Sequence, residues 1–196
     1  MSNKFLELAV TESVRAAQEQ YYGNARSAPV DAPEDRLSRE EIEFIGLRDS
    51  FYLATITENG WPYIQHRGGS PGFLKVLNEQ TLAFADYRGN RQMLSTGNLA
   101  ANDRVALFLM DYPHRARLKI LGRGRVEEAS LHPELTSRLA EADVRRIVER
   151  VFFIDVVAFD WNCPQYITPR YSSDEIRGII EPLHRRIAEL EAQLQN

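Results

Sequence analysis

Apolar and polar residues alternate with a period of two through the middle of the chain and with a period of three to four near its ends. Phe51–Thr57 alternates, Glu58-Asn59-Gly60 reads as a tight turn, and Trp61–Arg67 returns as the second arm of a hairpin. Phe73–Leu77 and Thr81–Tyr87 form a second hairpin around Asn78-Glu79. Arg104–Met110 and Ala116–Val126 form a third, turning through Asp111–His114. Val151–Phe159 is almost wholly apolar, the mark of a strand covered on both faces. Helical spacing predicts an amphipathic helix over Asn3–Gln20. A second helix opens at Ser38, where Glu41 completes a capping box and Ile42 and Ile45 are expected to face the core. A third is expected over Pro133–Ala142. A tail opened by Ser172-Ser173-Asp174-Glu175 carries an apolar stripe that Pro182 should kink or split. Tyr21–Arg36, with Gly23, Asn24, Pro29 and Pro33, reads as a linker or a strapped-down loop. Repeated antiparallel hairpins with few helices between them predict a mainly β protein with flanking helices, its sheet edges hidden by closure into a small barrel.

Composition narrows the function classes. At 196 residues the chain can bury a sizeable core, and its net charge of −4 argues against nucleic acid as the main partner without excluding a local basic pocket. A single cysteine, Cys163, rules out an intrachain disulfide. The opening residues lack the basic and long apolar regions of a secretory signal, so a cytoplasmic protein is expected. The four histidines are scattered and no cysteine pair has ligand spacing, so no metal site is expected. Cys163 has no evident histidine partner and is not read as a nucleophile.

The candidate chemistry lies in FADYRGNRQMLSTGNLAAN, residues 84–102. A strand ends at Asp86, Arg88, Gly89, Asn90 and Arg91, and a helix-compatible segment follows from Gln92. Guanidiniums and an amide on a flexible turn that opens a helix suit a phosphate. The first-turn N–H groups and the helix dipole favour an anion, and arginine grips oxygens bidentately. A second cluster, Gln65-His66-Arg67-Gly68-Gly69, ends another strand. Alternation puts Gln65 and Arg67 on one face and His66 on the other.

From Asp49 to about Arg125 the chain resembles the pyridoxamine-5′-phosphate-oxidase-like family of FMN-binding split barrels. The resemblance rests on the order of FYLATITENGWPYIQHRGG, TLAFADYRGNRQMLSTGNLAANDRV, ALFLMDYP and RARLKILGRGRV, with WNCPQYITPR near the end. It implies a six-stranded antiparallel split barrel over 49–170, preceded by helices and a linker (1–48) and followed by a helical tail (171–196). It also implies FMN as cofactor and a homodimer with the flavin at the subunit interface. Carried over, Ala85 and Asp86 lie beside the ring or ribityl chain, Asn90 and Arg91 at the phosphate, and Arg88 nearby. Arg67, with Gln65 and His66 around it, contacts phosphate or ribityl. Arg117 reaches the ring edge, and Trp161 and Asn162 come from the partner subunit. Gln92 stands where a lysine is expected, and the arginine-rich C-terminal segment of the true oxidases is replaced by ITPRYSSDEIRG and the aliphatic tail. The expected function is therefore an FMN-dependent oxidoreductase acting on a small molecule. The alternatives are a flavin-binding or storage module without committed catalysis, and a haem- or F420-binding relative. The tail stripe is expected to pack on its own barrel or on a second subunit. That stripe, the Val151–Phe159 strand and Trp161 together suggest more apolar surface than one small barrel can bury.

Overall fold

The computed structural model describes residues 1–89, 91–140, 148–161 and 164–194. Seven strands form one antiparallel sheet: β1 (Ser50–Ile56), β2 (Pro62–Gly68), β3 (Lys75–Asn78), β4 (Thr81–Tyr87), β5 (Arg104–Asp111), β6 (Ala116–Glu128) and β7 (Val148–Trp161), in the order β2-β1-β5-β6-β7-β4-β3. Every alternating run of the sequence is thus a strand, and the sheet has seven strands instead of the expected six. Closure is also incomplete, because β2 and β3 remain as edges.

The sheet rolls instead around its own inner face. Phe51 of β1 lies 5.4 Å from Phe84 of β4, although the two strands are not neighbours in the sheet. Phe84 stacks on Phe152 of β7 at 4.9 Å, and Phe51 stacks on Phe73 at 5.5 Å. Leu53, Leu107, Leu109, Leu118, Ile120 and Ile154 fill the remaining space. Period-two alternation places these residues on one face, and their burial is the main driving force for the roll.

The outer face of β4 and β7 has its own cover. Ala83, Ala85, Val151 and Phe153 pack against Ala129, Leu139 and Ala140, which belong to a 3-10 turn (Ala129–Leu131) and to α5 (Pro133–Leu139) with its C-terminal flank. Helix α1 (Asn3–Ala9) packs farther along β7 and buries Phe5. The doubly apolar strand is therefore buried within one chain and needs no second subunit, which corrects that part of the expectation.

Four local details also bear on the sequence reading. The N-terminal helix is two, α1 and α2 (Glu12–Tyr22), because Val10 turns inward and Thr11 caps the second by accepting from the Val14 amide. In α3 (Arg39–Gly46) the capping box forms as expected, with Ser38 N–H donating to Glu41 Oε2 at 2.9 Å. Ile45 is buried but Ile42 is exposed, since the inner face runs through Glu41 and Ile45 one turn apart. Finally, α6 (Ser173–Leu194) continues through Pro182 as one helix, and all its described residues are exposed. The Gly178 carbonyl, which Pro182 cannot donate to, faces solvent, where water can donate to it instead. The tail does not pack on its own barrel.

β6 and β7 approach unusually closely at a bulge between Leu121 and Gly122. A Cβ on Gly122 would sit 2.6 Å from the Asp155 carbonyl oxygen, whereas one on Gly97 would meet nothing within 4 Å. Gly122→Ala is expected to destabilise the protein by about 1–3 kcal/mol, and Gly97→Ala, with open space around it, to stabilise it by roughly 0.5–1 kcal/mol. Urea denaturation of both variants reads this directly; equal midpoints would contradict the close approach.

Candidate functional site

Helix α4 (Leu94–Ala101) is held over the end of the roll by polar contacts that are themselves largely buried. Ser95 Oγ donates to Gln65 Oε1 at 2.9 Å, and Asn98 Nδ2 donates to Thr55 Oγ1 at 2.9 Å. Leu99 rests on Gly124, where a Cβ would come within 2.9 Å of it. These contacts fix α4 against β2, β1 and β6, so that its N-terminus faces the ends of β2 and β4. That N-terminus has no side-chain cap, since Met93 occupies the capping position. Both Arg91 (φ 59°) and Met93 (φ 58°) are left-handed, a conformation that costs an L-residue on the order of 1 kcal/mol and recurs at ligand-binding turns.

Beneath the turn lies a cavity of about 80 Å³. Its floor is made by Tyr63, Gln65 and Arg67 of β2, Asp86 of β4 and Arg150 of β7, and its rim by Gly89, Arg91, Gln92 and the start of α4. Asp86 is buried between two guanidiniums. Arg67 Nη1 donates to Oδ1 at 2.9 Å, and Arg150 reaches Oδ2 with both Nε and Nη2 at 2.9 Å. The β4–β7 ladder sets Asp86 directly opposite Arg150. Arg67 also lies over the rings of Phe152 at 5.0 Å and Phe84 at 5.5 Å, and its Nε is buried without a hydrogen-bond partner. Glu149, outside the lining, meets Arg150 at 3.1 Å from the other side. The lining itself sets three arginines against one carboxylate, and Arg91 on the rim has no ion-pair partner among the described residues. The orphan amides of α4, the unpartnered Arg67 Nε and these guanidiniums form a donor set that suits a phosphate.

The candidates from the sequence are distributed as follows. Gln65, Arg67, Asp86 and Arg91 line this cavity. His66 points to the opposite face of β2 and meets Tyr52 edge-on at 5.6 Å. Ala85 packs into the small core beneath α5, so its side chain is not in the cavity; alternation on β4 turns it away from Asp86. Arg88 lies outside the cavity lining, largely exposed, 3.8 Å from Glu149. Asp86 pairs with Arg67 and Arg150, not with Arg91. Arg117 is on the outer face of β6, near Phe108, with Nε buried and unpartnered. Trp161 belongs to the far end of β7, where it meets Phe44 edge-on at 4.8 Å and its Nε1 donates to Glu41 Oε1 at 2.6 Å. Within one chain it is structural. Asn90, Asn162 and Cys163 lie outside the described residues. The sequence reading misses Arg150 and Tyr63. The pairing of Asp86 with Arg150 depends on a β4–β7 register that no local pattern marks.

Among the described residues no group of three His, Cys, Asp or Glu side chains could hold a metal ion, and no helix is long and apolar enough to cross a membrane.

Residues 37–157 match the model of the pyridoxamine 5′-phosphate oxidase family, and the chain belongs to that family. No curated protein matches it. Among solved structures, a point variant of HupZ from Group A Streptococcus is similar at 12% identity and a TM-score of 0.50, covering 64% of this chain and 99% of its own. A putative pyridoxamine 5′-phosphate oxidase from Lactobacillus delbrueckii is similar at 19% identity and a TM-score of 0.48, covering 64% and 93%. An FMN-binding protein from Syntrophomonas wolfei is similar at 13% identity and a TM-score of 0.45, covering 64% and 88%. At these identities the likeness concerns the fold alone.

Proposed function

We propose that the protein binds FMN and acts as an FMN-dependent oxidoreductase on a small-molecule substrate. The observation that carries the reading is the convergence of Arg67, Arg150 and Arg91 on an uncapped helix N-terminus in a member of this family. Arg91 and the first amides of α4 would grip the phosphate, and Arg67 and Arg150 would supply positive potential from below. When bound, the flavin would supply the redox chemistry, while the chain binds and orients it. No histidine or cysteine lines the cavity among the described residues, so no protein acid or base is assigned to the reaction.

A shared site suits the surroundings of the cavity. The cavity, of about 80 Å³ and open to solvent on one side, can seat a phosphate and let the ring extend out of it. The cavity opens beside β2, an edge strand. On the outer face of β2 and of its neighbours β1, β5 and β6, Tyr52, Ala54, Ile64, Ala106, Phe108 and Leu121 line an apolar groove of about 440 Å³, with His66 and Arg117 on the same face. A second copy on this face would cover the groove and could enclose the ring. A two-fold homodimer with two sites follows from this reading.

A second reading, a flavin carrier without committed catalysis, is favoured by Asp86, which already occupies both inner guanidiniums and tempers their pull on an anion. Titration with FMN, FAD, riboflavin, F420 and haem, followed by flavin fluorescence or absorbance, separates the options. FMN binding tighter than FAD at about one per chain supports the proposal; preference for haem or F420, or no binding at all, refutes it. Turnover of bound FMN by reductants and oxygen separates enzyme from carrier.

Arg91→Ala is expected to weaken FMN by roughly 1.5–3 kcal/mol while leaving riboflavin nearly unchanged, because the charge-assisted bonds exist only with the phosphate. Equal losses for the two ligands would make Arg91 structural.

A further inference from the structure

Helix α6 exposes its whole apolar stripe, yet the stripe is spaced for one particular partner. Ile176, Ile180, Leu183, Ile187, Leu190 and Leu194 follow one another at intervals of four, three, four, three and four residues. That is an unbroken heptad repeat, with Ile180, Ile187 and Leu194 at a and Ile176, Leu183 and Leu190 at d. All six are exposed in the single chain. Apart from Ile179 at g, the large apolar residues of the stripe keep to a and d, which is narrower than the face of a helix packed on a globular core and matches a coiled-coil seam. β-Branched residues at two of the three a positions and leucine at two of the three d positions favour a parallel, two-stranded arrangement. Pro182 falls at c, away from the seam, so the uninterrupted helix can carry it.

We infer that α6 pairs with α6 of a second copy of this chain as a parallel, in-register coiled coil. Charge selects the orientation. In the parallel pair, Arg186 at g faces Glu191 at e of the other copy, twice by symmetry, and Ile179 at g adds apolar cover. An antiparallel pair would bring Arg177 to Glu191 of the other copy but would also set Arg186 against Arg186 and His184 against His184. Within one chain Arg186 donates to Glu189 at c at 2.9 Å, a solvent-side partner that the parallel pair would exchange for Glu191 of the other copy. A parallel pair also keeps both barrels at one end of the coil, whereas an antiparallel pair starts its helices about 33 Å apart, from 1.5 Å per residue over 22 residues. The inference stands on α6 alone and does not depend on the identity of the cofactor.

Single cysteines test it. In the full chain with Cys163→Ser, Ile180→Cys and Leu194→Cys are made separately and oxidised with glutathione disulfide. The two thiols of a pair form one disulfide, and the oxidant is reduced to two glutathione thiols. Covalent homodimers from both variants, lost on adding Ile187→Asp, are the expected result. Arg186→Glu is expected to reduce the cross-linked fraction about three- to ten-fold, and Arg186→Glu with Glu191→Arg to restore it. Cross-linking only when the Ile180→Cys chain is mixed with a further variant, Leu190→Cys, which faces it in the antiparallel register, would establish an antiparallel pair and overturn the inference. Absence of cross-links at both positions, as expected if α6 lay on the partner's sheet, would overturn it too. FMN titration of the Ile187→Asp chain keeps the two questions apart, since a chain that no longer cross-links but still binds FMN leaves the flavin reading intact.

Discussion

Asp86→Ala is expected to cost the free protein about 3 kcal/mol and to make it more responsive to FMN, not less. The cost arises because Asp86 is buried between Arg67 and Arg150, with side chains 10%, 18% and 14% exposed. Removing one member of a buried charge set leaves its partners desolvated and unpaired, which typically costs about 3–5 kcal/mol; slight exposure and the Glu149 contact of Arg150 place the value at the low end. The gain arises because the two guanidiniums then face the cavity without a competing carboxylate. An anion bound there stabilises the folded state by mass action, and more so the tighter it binds. The increase in melting temperature on adding FMN should therefore be larger in Asp86→Ala than in the parent chain, while riboflavin produces no such difference. A variant that is destabilised but shows a smaller FMN shift would mean that Asp86 organises the site for the ligand. A variant as stable as the parent would mean that the triad is too well solvated to matter.

Asp86 also shows where the sequence is legible and where it is not. Most strands are visible as an alternation of apolar and polar residues and β7 as a nearly continuous apolar run, and alternation alone puts Gln65 and Arg67 on one side of β2 and His66 on the other. The same rule, applied to β4, turns Ala85 away from Asp86, whereas the resemblance places both beside the flavin. Strand partners are not legible. Arg150 enters the site only because β7 pairs with β4, strands far apart in sequence. The failure to close depends on the same long-range pairing, whereas the seven strands are each visible as runs in the sequence and the expected six come from the resemblance. For α6 the periodicity is plain in the sequence, but only its complete exposure in the folded chain shows that the stripe is not covered by its own barrel. The expected break at Pro182 rests on its local cost alone, although an exposed helix can leave the displaced carbonyl to water. Ile42 escapes the pattern because a short helix of eight residues shows too few turns to define its inner face.

Glu41 supplies the second large effect, at the opposite end of the molecule. Its capping box is legible in the sequence, but its other carboxylate oxygen also accepts from Trp161 Nε1, which joins the start of α3 to the end of β7. Burial alone would raise its pKa, but the hydrogen bonds from Ser38 and Trp161 outweigh that and hold the carboxyl below its ordinary 4.5. Glu41→Ala removes the cap and strands the indole N–H, and is expected to cost about 3 kcal/mol, given roughly 1.5–3 kcal/mol for each hydrogen bond to a charged group and incomplete additivity. Glu41→Gln keeps the shape and one acceptor, and should cost about half as much. The linkage has a definite sign. A carboxyl with a lowered folded pKa contributes its full stability above the unfolded value and loses it as pH falls through the folded value. The parent should therefore lose stability below about pH 4.5 more steeply than Glu41→Gln, which lacks that titration. Asp111 and Glu127 are lowered as well, so both proteins will unfold in acid, and the difference between them isolates Glu41. Trp161 reports it directly once the exposed Trp61 is replaced by Phe, since these are the two tryptophans of the chain. Its emission should shift with the same pH dependence in the parent background and stay flat in Glu41→Gln until global unfolding. Parallel acid profiles in the two proteins would show that the Glu41–Trp161 contact contributes nothing to the fold.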